Sequence, residues 1–249
     1  MKPSAIEAAA RALVTARRSR RLLAALPTDT RPQSVAEAHA IQDATVAALG
    51  EGVAGWKVSV VDGEVMRGVL LGSRVLQSPA HLRATDVPML GIEVEIAFRF
   101  ERDLPCRDQP YTKDEIAASV TALAAIEVVD SRFQSYADTP VIDRLADFMS
   151  NGAFVTGTAR PNWRSIDLAA LKATLSVNGR TAVEQTGGHA AGDPILPAVA
   201  LANALRAEGI AKGQIVTTGT YTGLHMAQPG DRIVGSFEGF GSAELQFDG

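Results

Sequence analysis

The stretch from Gly91 to Phe100 constrains the fold more than any other part of the chain. Apolar residues alternate there with Glu93, Glu95 and Arg99, and a period of two is typical of an extended strand. The two glutamates are therefore predicted to lie on the same face of one strand. An outward, solvated face would also explain these charges, because ionised side chains usually stay in contact with water.

A third glutamate makes this strand more informative. Glu127 stands inside an apolar run from Leu123 to Asp130, and a carboxylate in a buried strand is costly unless it is paired or bound to a cation. Together with Glu93 and Glu95 it would form an all-oxygen ligand set suited to Mg²⁺ or Mn²⁺. The alternatives for Glu127 are a strand-end position or a salt bridge to Arg132.

The composition limits the classes of function. The 249 residues are 46% hydrophobic and can bury a sizeable core. The net charge is −4 with acids and bases interleaved, so neither nucleic acid nor a membrane is expected as a partner. Cys106 is the only cysteine, which excludes an internal disulfide and fits a reducing cytosol. We expect a cytoplasmic protein.

Two helices are predicted before any strand. The Ser4–Glu7 segment has the pattern of a capping box and predicts a helix that runs to about Leu26. Ser34 opens a second helix, which is predicted to end at about Leu49. We predict that residues 1–50 form a helical region packed on the core.

Short strands and tight turns dominate the remainder of the chain, residues 51–249. Val53–Val61 is predicted to be the first strand, and Asn178-Gly179 has the residues of a two-residue hairpin turn. Few helices interrupt these strands. The fold class predicted is α+β: a mixed, largely antiparallel β-roll or barrel with a helical N-terminal region.

Three more residues are candidates for a site. Lys57 interrupts the apolar first strand and shares a face with Ser59, so it either extends to solvent or points into a polar pocket. Thr220 lies in a hydroxyl-rich loop and could bind a substrate oxygen or only shape the turn. Arg132 could hold a distal carboxylate of a substrate or only neutralise Glu127 or Asp130.

Several familiar catalytic motifs are missing from the sequence. It contains no Gly-x-Ser-x-Gly elbow, no His-Glu-x-x-His, no Walker loop and no Gly-x-Gly-x-x-Gly after the first strand. A serine hydrolase, a zinc protease, a P-loop enzyme and a simple Rossmann enzyme are therefore not indicated.

The ordered set of motifs resembles one enzyme group. These motifs are Gly55–Val58, Gly91–Phe98, Ala125–Phe133, Ser150–Gly157, Gly213–Gly219 and Pro229–Asp231. In this order they resemble the 2-keto-4-pentenoate hydratase and 4-oxalocrotonate decarboxylase group of the fumarylacetoacetate hydrolase superfamily. The resemblance covers nearly the whole chain.

The resemblance implies a fold and a site. It implies a β-roll catalytic domain over residues 51–249, a homo-oligomer, and a Mg²⁺ or Mn²⁺ ion held by Glu93, Glu95 and Glu127. It also places Lys57 at the active site, where the lysine would offset the excess negative charge and move a proton. Ser59, Arg132 and Thr220 are the expected substrate-binding residues.

The function implied is the hydration of a short 2-hydroxy-2,4-dienoate or 2-oxo acid in aromatic catabolism. The segment from Lys57 to Leu76 departs from the hydratases, because Ser59 replaces a glycine and an Asp-x-Pro motif is missing. Decarboxylation of a 4-oxalocrotonate-like acid needs no positioned water and is therefore the second hypothesis. An acylpyruvate hydrolase is the third, and a non-catalytic ligand-binding or scaffold relative is the alternative outside enzymes.

Overall fold

The computed structural model describes residues 1–249 and confirms the α+β class. The five α-helices are α1 (Pro3–Ser19), α2 (Val35–Leu49), α3 (Lys113–Ala117), α4 (Val141–Ala146) and α5 (Ile195–Ala204). The thirteen strands are β1 (Val53–Val61), β2 (Glu64–Leu71), β3 (Val75–Gln77), β4 (Ala80–Arg83), β5 (Gly91–Phe100), β6 (Val120–Val129), β7 (Asn151–Arg160), β8 (Lys172–Val177), β9 (Arg180–Thr186), β10 (Ile215–Thr220), β11 (His225–Met226), β12 (Arg232–Phe237) and β13 (Gly241–Asp248). No helix combines the length and the apolar character that crossing a membrane requires.

The first helix differs from its prediction at both ends. Ser4 does not cap the helix, because α1 already begins at Pro3. A proline fits the first turn of a helix, where its missing N–H would have no partner. The helix ends at Ser19, where Arg20 adopts a left-handed conformation. The chain then runs extended, and Leu23 forms a β-bridge with Phe133 instead of continuing the helix.

The second helix confirms its prediction. The side chain of Ser34 accepts a hydrogen bond from the backbone N–H of Glu37, and Gly50 ends the helix in a left-handed conformation. Buried side chains of α1 and α2 pack with Phe133 and Leu145, which lie between β6 and β7. The helical layer therefore lies on the core, while the division into regions at residue 50 stays a prediction.

The first sheet curls into a half-barrel with β5 near its middle. Its strand order is β2-β1-β10-β5-β6-β7-β3, and β11 pairs with β5. Most neighbours are antiparallel, whereas β1/β10 and β3/β7 are parallel. The curl brings Leu70, Leu123, Phe154 and Ile215 from four different strands into one apolar cluster inside the half-barrel. The concave face therefore has an apolar floor.

The second sheet covers the convex face of the first. Its order is β4-β13-β12-β8-β9, and the Asn178-Gly179 turn joins β8 to β9 with positive φ at both residues, as predicted. The two sheets approach closely at Gly235, where an added Cβ would lie 2.9 Å from a methyl group of Val94. The main hydrophobic core fills the space between the sheets, which leaves the concave face free for polar side chains.

Candidate metal centre

Three glutamates meet on the concave face of the first sheet. Glu93 and Glu95 are two residues apart on β5, so they share a face, and Glu127 of β6 pairs directly with Glu93. One carboxylate oxygen from each lies within 4.8 Å of the others. Glu95 and Glu127 are 2% and 0% exposed. The predicted convergence is therefore present, and the solvated-face interpretation of Glu93 and Glu95 is wrong.

The burial of these acids makes their negative charge costly. Burial raises the pKa of Glu93 to about 7, although Lys57 opposes this shift. Burial, followed by the charges of Glu127 and Glu93, raises the pKa of Glu95 to about 8. The Oε2 atom of Glu127 is buried without a hydrogen-bond partner. Such a set of close, under-satisfied oxygen donors fits a hard divalent cation.

Lys57 is the cation that the chain itself supplies to this cluster. Its Nζ lies 2.6 Å from Oε1 of Glu127. Burial alone would lower the pKa of Lys57, but the charges of the three glutamates outweigh burial and raise it above its ordinary value. Gly68 pairs with Lys57 across β1 and β2, and an added Cβ there would lie 2.9 Å from Cγ of the lysine. The glycine thus leaves room for the lysine stem.

The charges of the cluster do not balance without a ligand. One lysine can compensate one of the three carboxylates when all are ionised, and two negative charges remain. A divalent cation would neutralise this remainder, with Lys57 offsetting the third negative charge, as the resemblance implied for the lysine. The structure therefore supports a metal site from both its donor set and its charge.

Two residues that the sequence interpretation missed orient the glutamates. The hydroxyl group of Thr217 donates a hydrogen bond to Oε2 of Glu95, and the Nδ2 of Asn151 donates to Oε1 of Glu127 at 3.0 Å. The backbone N–H of Gly219 also reaches Oε2 of Glu95 at 3.4 Å. The threonine-rich stretch that includes Thr217 was the available sequence signal, but only the fold shows which hydroxyl faces the site.

Ser59 and Thr220 lie on strands β1 and β10 and make no hydrogen bond to the three glutamates. Ser59 is half-buried on the same strand face as Lys57. Thr220 pairs with Glu95 across β10 and β5, and its Oγ1 accepts a hydrogen bond from the N–H of Thr222 at 3.1 Å. Substrate binding by either residue stays a prediction.

Arg132 does not join the cluster. Its Nε donates to both carboxylate oxygens of Asp147, at 2.6 and 2.8 Å, and its Nη1 lies 3.3 Å from Oδ2 of Asp130. The expected pairing with Asp130 is thus present, but the alternative salt bridge to Glu127 is wrong. The guanidinium is buried in these contacts, so the structure does not support its assignment to a distal carboxylate of the substrate. Arg132 lies beyond the end of β6 at Val129, so the alternation of side chains along the strand does not determine which way it points.

The sequence of the chain matches a known protein family. The family model described as "Fumarylacetoacetate (FAA) hydrolase C-terminal" matches residues 68–248. This match includes most of the chain. The chain belongs to the fumarylacetoacetate hydrolase family.

Individual members of the fumarylacetoacetate hydrolase family cover the chain from end to end. The 2-keto-4-pentenoate hydratase of Paraburkholderia phymatum is 31% identical over 256 residues, which are 97% of each chain. The 2-hydroxyhexa-2,4-dienoate hydratase of Comamonas testosteroni is 32% identical over 260 residues, again 97% of each chain. A solved structure of 4-oxalocrotonate decarboxylase from Pseudomonas putida G7, complexed with magnesium and adipate, superposes with a TM-score of 0.86 at 22% identity over 99% of this chain and 98% of that one. This likeness establishes the fold.

The Thr217 hydrogen bond leads to a first testable prediction for this family member. Replacing Thr217 by valine keeps the shape of the side chain but removes the donor to Glu95. Partners of this kind orient metal ligands, and their loss typically lowers metal affinity by about 10- to 100-fold. Isothermal titration with Mg²⁺ should show a weakening in this range for Thr217→Val.

The next residue on the same strand provides a matched control. Thr218 is also buried, but its hydroxyl donates to the backbone carbonyl of Ile96 and not to a glutamate. Thr218→Val should therefore leave Mg²⁺ affinity within a few-fold of the parent. Equal losses in the two variants would mean that the hydroxyl of Thr217 does not act on the metal ligands.

The raised pKa values predict how metal binding depends on pH. Glu93 and Glu95, with pKa values of about 7 and about 8, hold protons in the metal-free protein at pH 6, and a cation must displace these protons. Both carboxylates are increasingly ionised as the pH rises to 8. We therefore expect Mg²⁺ to raise the melting temperature more at pH 8 than at pH 6, and titrations in buffers of different ionisation enthalpy to reveal proton release near pH 7. A metal-induced shift that is the same at both pH values would contradict this expectation.

Proposed function

We propose that this protein is a divalent-metal-dependent lyase that adds water to a short 2-hydroxy-2,4-dienoate. The observation that carries the proposal is the convergence of three buried glutamates with the amine of Lys57 at 2.6 Å from one of them. Two family members that match the chain over 97% of its length are named as hydratases of this substrate class. Mg²⁺ or Mn²⁺ is the proposed ion, held by Glu93, Glu95 and Glu127.

The chain's own residues supply the proton chemistry. A bound divalent ion would act as a Lewis acid toward the oxygens of a 2-oxo acid. Lys57 is protonated at neutral pH because three carboxylates surround it, so its Nζ enters the reaction as a proton donor. In the overall change the enol O–H of the substrate loses its proton and a carbon of the substrate gains one. Water then adds across the remaining double bond to give a 4-hydroxy-2-oxo acid.

The polar residues around the cluster have defined tasks in this proposal. Thr217 and Asn151 hold Glu95 and Glu127 in the orientation that ligands need. Ser59 and Thr220, which share the concave face, are the proposed contacts for the substrate. The apolar floor beneath the cluster keeps bulk water away from the reacting carbons.

Decarboxylation of a 4-oxalocrotonate-like acid is the second candidate. The acids that raise the pKa of Lys57 are the three proposed metal ligands, and the Asp-x-Pro motif of the hydratases, which would help to handle water, is missing from the sequence. The 4-oxalocrotonate decarboxylase of Pseudomonas putida is 32% identical over 136 residues, which cover 54% of this chain and 51% of that one. Cleavage of an acylpyruvate remains the third candidate on the same site.

Product analysis separates these reactions. The protein is incubated with Mg²⁺ and either 2-hydroxypenta-2,4-dienoate or 4-oxalocrotonate, and the products are identified by mass spectrometry and by CO₂ release. The hydratase proposal predicts a product heavier by one water from the dienoate. CO₂ release from the diacid without hydration of the dienoate would favour the decarboxylase, and no turnover of either compound would contradict both.

Three further expectations belong to the proposal. The protein is proposed to be a homo-oligomer, to bind a small-molecule acid as its substrate, and to reside in the cytoplasm. Size-exclusion chromatography with light scattering would test the first point. A monomer would show that the site forms without a second copy of the chain.

A further inference from the structure

A second cavity lies away from the glutamate cluster, between the helical layer and one end of the first sheet. Its volume is about 210 Å³. Five arginines contribute to its wall, from the end of α1, the segment after β2 and the segment after β6: Arg17, Arg18, Arg20, Arg74 and Arg132. Neither Lys57 nor any of the three glutamates lines it. We call it the arginine cavity.

The acids near this cavity do not balance its arginines. Three acidic residues line the wall with the five arginines: Glu51, Asp86 and Asp130. Asp86 pairs with Arg20 and also with Arg83 outside the cavity, and Asp130 pairs with Arg132. Asp147, outside the lining, pairs with Arg17 and Arg132. Arg18 and Arg74 form no ion pair, so five arginines face four acids and the cavity keeps an excess of one positive charge.

Arg17 shows this excess most directly. Its guanidinium stacks on the ring of Phe148 at 4.5 Å, and its Nη2 reaches Oδ1 of Asp147 and the carbonyl of Asn151 only at 3.4 Å each. Its Nε is buried and has no hydrogen-bond partner. Burial, followed by the charge of Arg132, lowers the pKa of Arg17 to about 9. A buried guanidinium with unused and stretched donors is a costly arrangement unless an acceptor completes it.

The size of the cavity selects the kind of acceptor. At about 30 Å³ per molecule, 210 Å³ has room for about seven waters, which is enough for a tetrahedral oxyanion or a short dicarboxylate. Guanidinium groups present planar pairs of donors that match the oxygens of phosphate and carboxylate groups. We propose that the arginine cavity binds a small dianion with oxygen donors, either phosphate or a short dicarboxylate.

The test uses the full-length protein without divalent metal. Inorganic phosphate and, separately, butanedioate are titrated by calorimetry at constant ionic strength, with chloride as the reference anion. We expect saturable binding of one anion per chain, weakened by added salt because the attraction is between charges. Tighter binding of phosphate would identify a phosphate site, and tighter binding of butanedioate would identify a carboxylate site.

Two arginines can be changed without breaking the buried ion pairs. Arg18→Gln and Arg74→Gln remove unpaired guanidinium groups and should each weaken binding of the preferred anion by about tenfold, since a hydrogen bond to a charged group contributes roughly that factor. Unchanged Mg²⁺ affinity would show that both variants are folded. Arg232→Gln is the matched control, because Arg232 pairs with Glu244 on the second sheet.

The proposal fails if neither anion binds saturably. It also fails if Arg18→Gln and Arg74→Gln bind as tightly as Arg232→Gln. Because the readout is anion affinity in the absence of metal, these outcomes are independent of whether the lyase reaction occurs at the glutamate cluster.

Discussion

Glu127→Gln is expected to lower Mg²⁺ affinity by more than 100-fold and to abolish metal-dependent turnover. Glu127 is fully buried, and its Oε1 accepts hydrogen bonds from Lys57 and Asn151. Its Oε2 has no hydrogen-bond partner within the protein. Glutamine has the same shape but lacks the charge that a divalent ion requires. The loss should exceed the roughly 10- to 100-fold effect of changing an outer-shell partner.

The protein should remain folded in this variant, because the loss of the ion pair between Lys57 and Glu127 is offset by less repulsion among the glutamates, and Glu93 and Glu95 still attract Lys57. Calorimetric titration measures the metal affinity, and thermal unfolding without metal checks the fold. Glu101→Gln is the matched control, since Glu101 follows the neighbouring strand β5 but pairs with Arg99 at the surface. A Glu127→Gln variant that kept full metal-dependent activity would contradict the ligand role of Glu127, whereas a parent protein without metal-stimulated activity would leave the scaffold hypothesis as the better account of the chain.

Lys57→Met should separate catalysis from metal binding. Removal of a positioned general acid typically costs about 10²- to 10⁴-fold in rate, and we expect a fall in kcat in this range. Metal affinity should stay the same or increase, because the variant loses the one cation that competes for Glu127 at 2.6 Å. Methionine keeps much of the apolar stem that lies against Gly68.

Steady-state kinetics with saturating Mg²⁺ and titration of the metal on the same preparation test both halves of this expectation. Lys172→Met serves as the control, because Lys172 pairs with Glu184 far from the concave face. If Lys57→Met lost metal affinity and activity together, the lysine would be organising the site and not transferring a proton. Full activity would exclude both roles.

The two variants also act as a pair. A metal ligand and a proton donor predict different patterns, since Glu127→Gln loses both metal affinity and turnover whereas Lys57→Met loses only turnover. A non-catalytic scaffold predicts neither pattern. The pair therefore distinguishes the lyase from its non-enzyme alternative once turnover of one test compound can be measured.

Local sequence patterns were sufficient for several parts of the structure. The alternation in β5 placed Glu93 and Glu95 on one face, because successive side chains of any strand point to opposite sides. Ser34 and the Asn178-Gly179 turn were likewise recognised from short-range chemistry, since a cap and a tight turn involve only neighbouring residues. The apolar run around Glu127 predicted a third ligand, because a buried carboxylate needs a partner, and the family resemblance implied the same role.

The tertiary structure decided which distant residues meet. Lys57 reaches Glu127 because β1 lies beside β10, and β10 beside β5, within a sheet that curls. The early end of α1 at Ser19 follows from the pairing of Leu23 with Phe133.

Arg132 illustrates the limit of the sequence by itself. Its partner Asp147 is fifteen residues away, and two acids were equally plausible from sequence spacing. The arginine cavity takes its arginines from three parts of the chain. The sequence shows the basic cluster at residues 17–21, but not that it meets Arg74 and Arg132. Periodicity is a property of the backbone and can be read along the chain, whereas the neighbours of a strand end depend on how the whole chain buries its apolar surface.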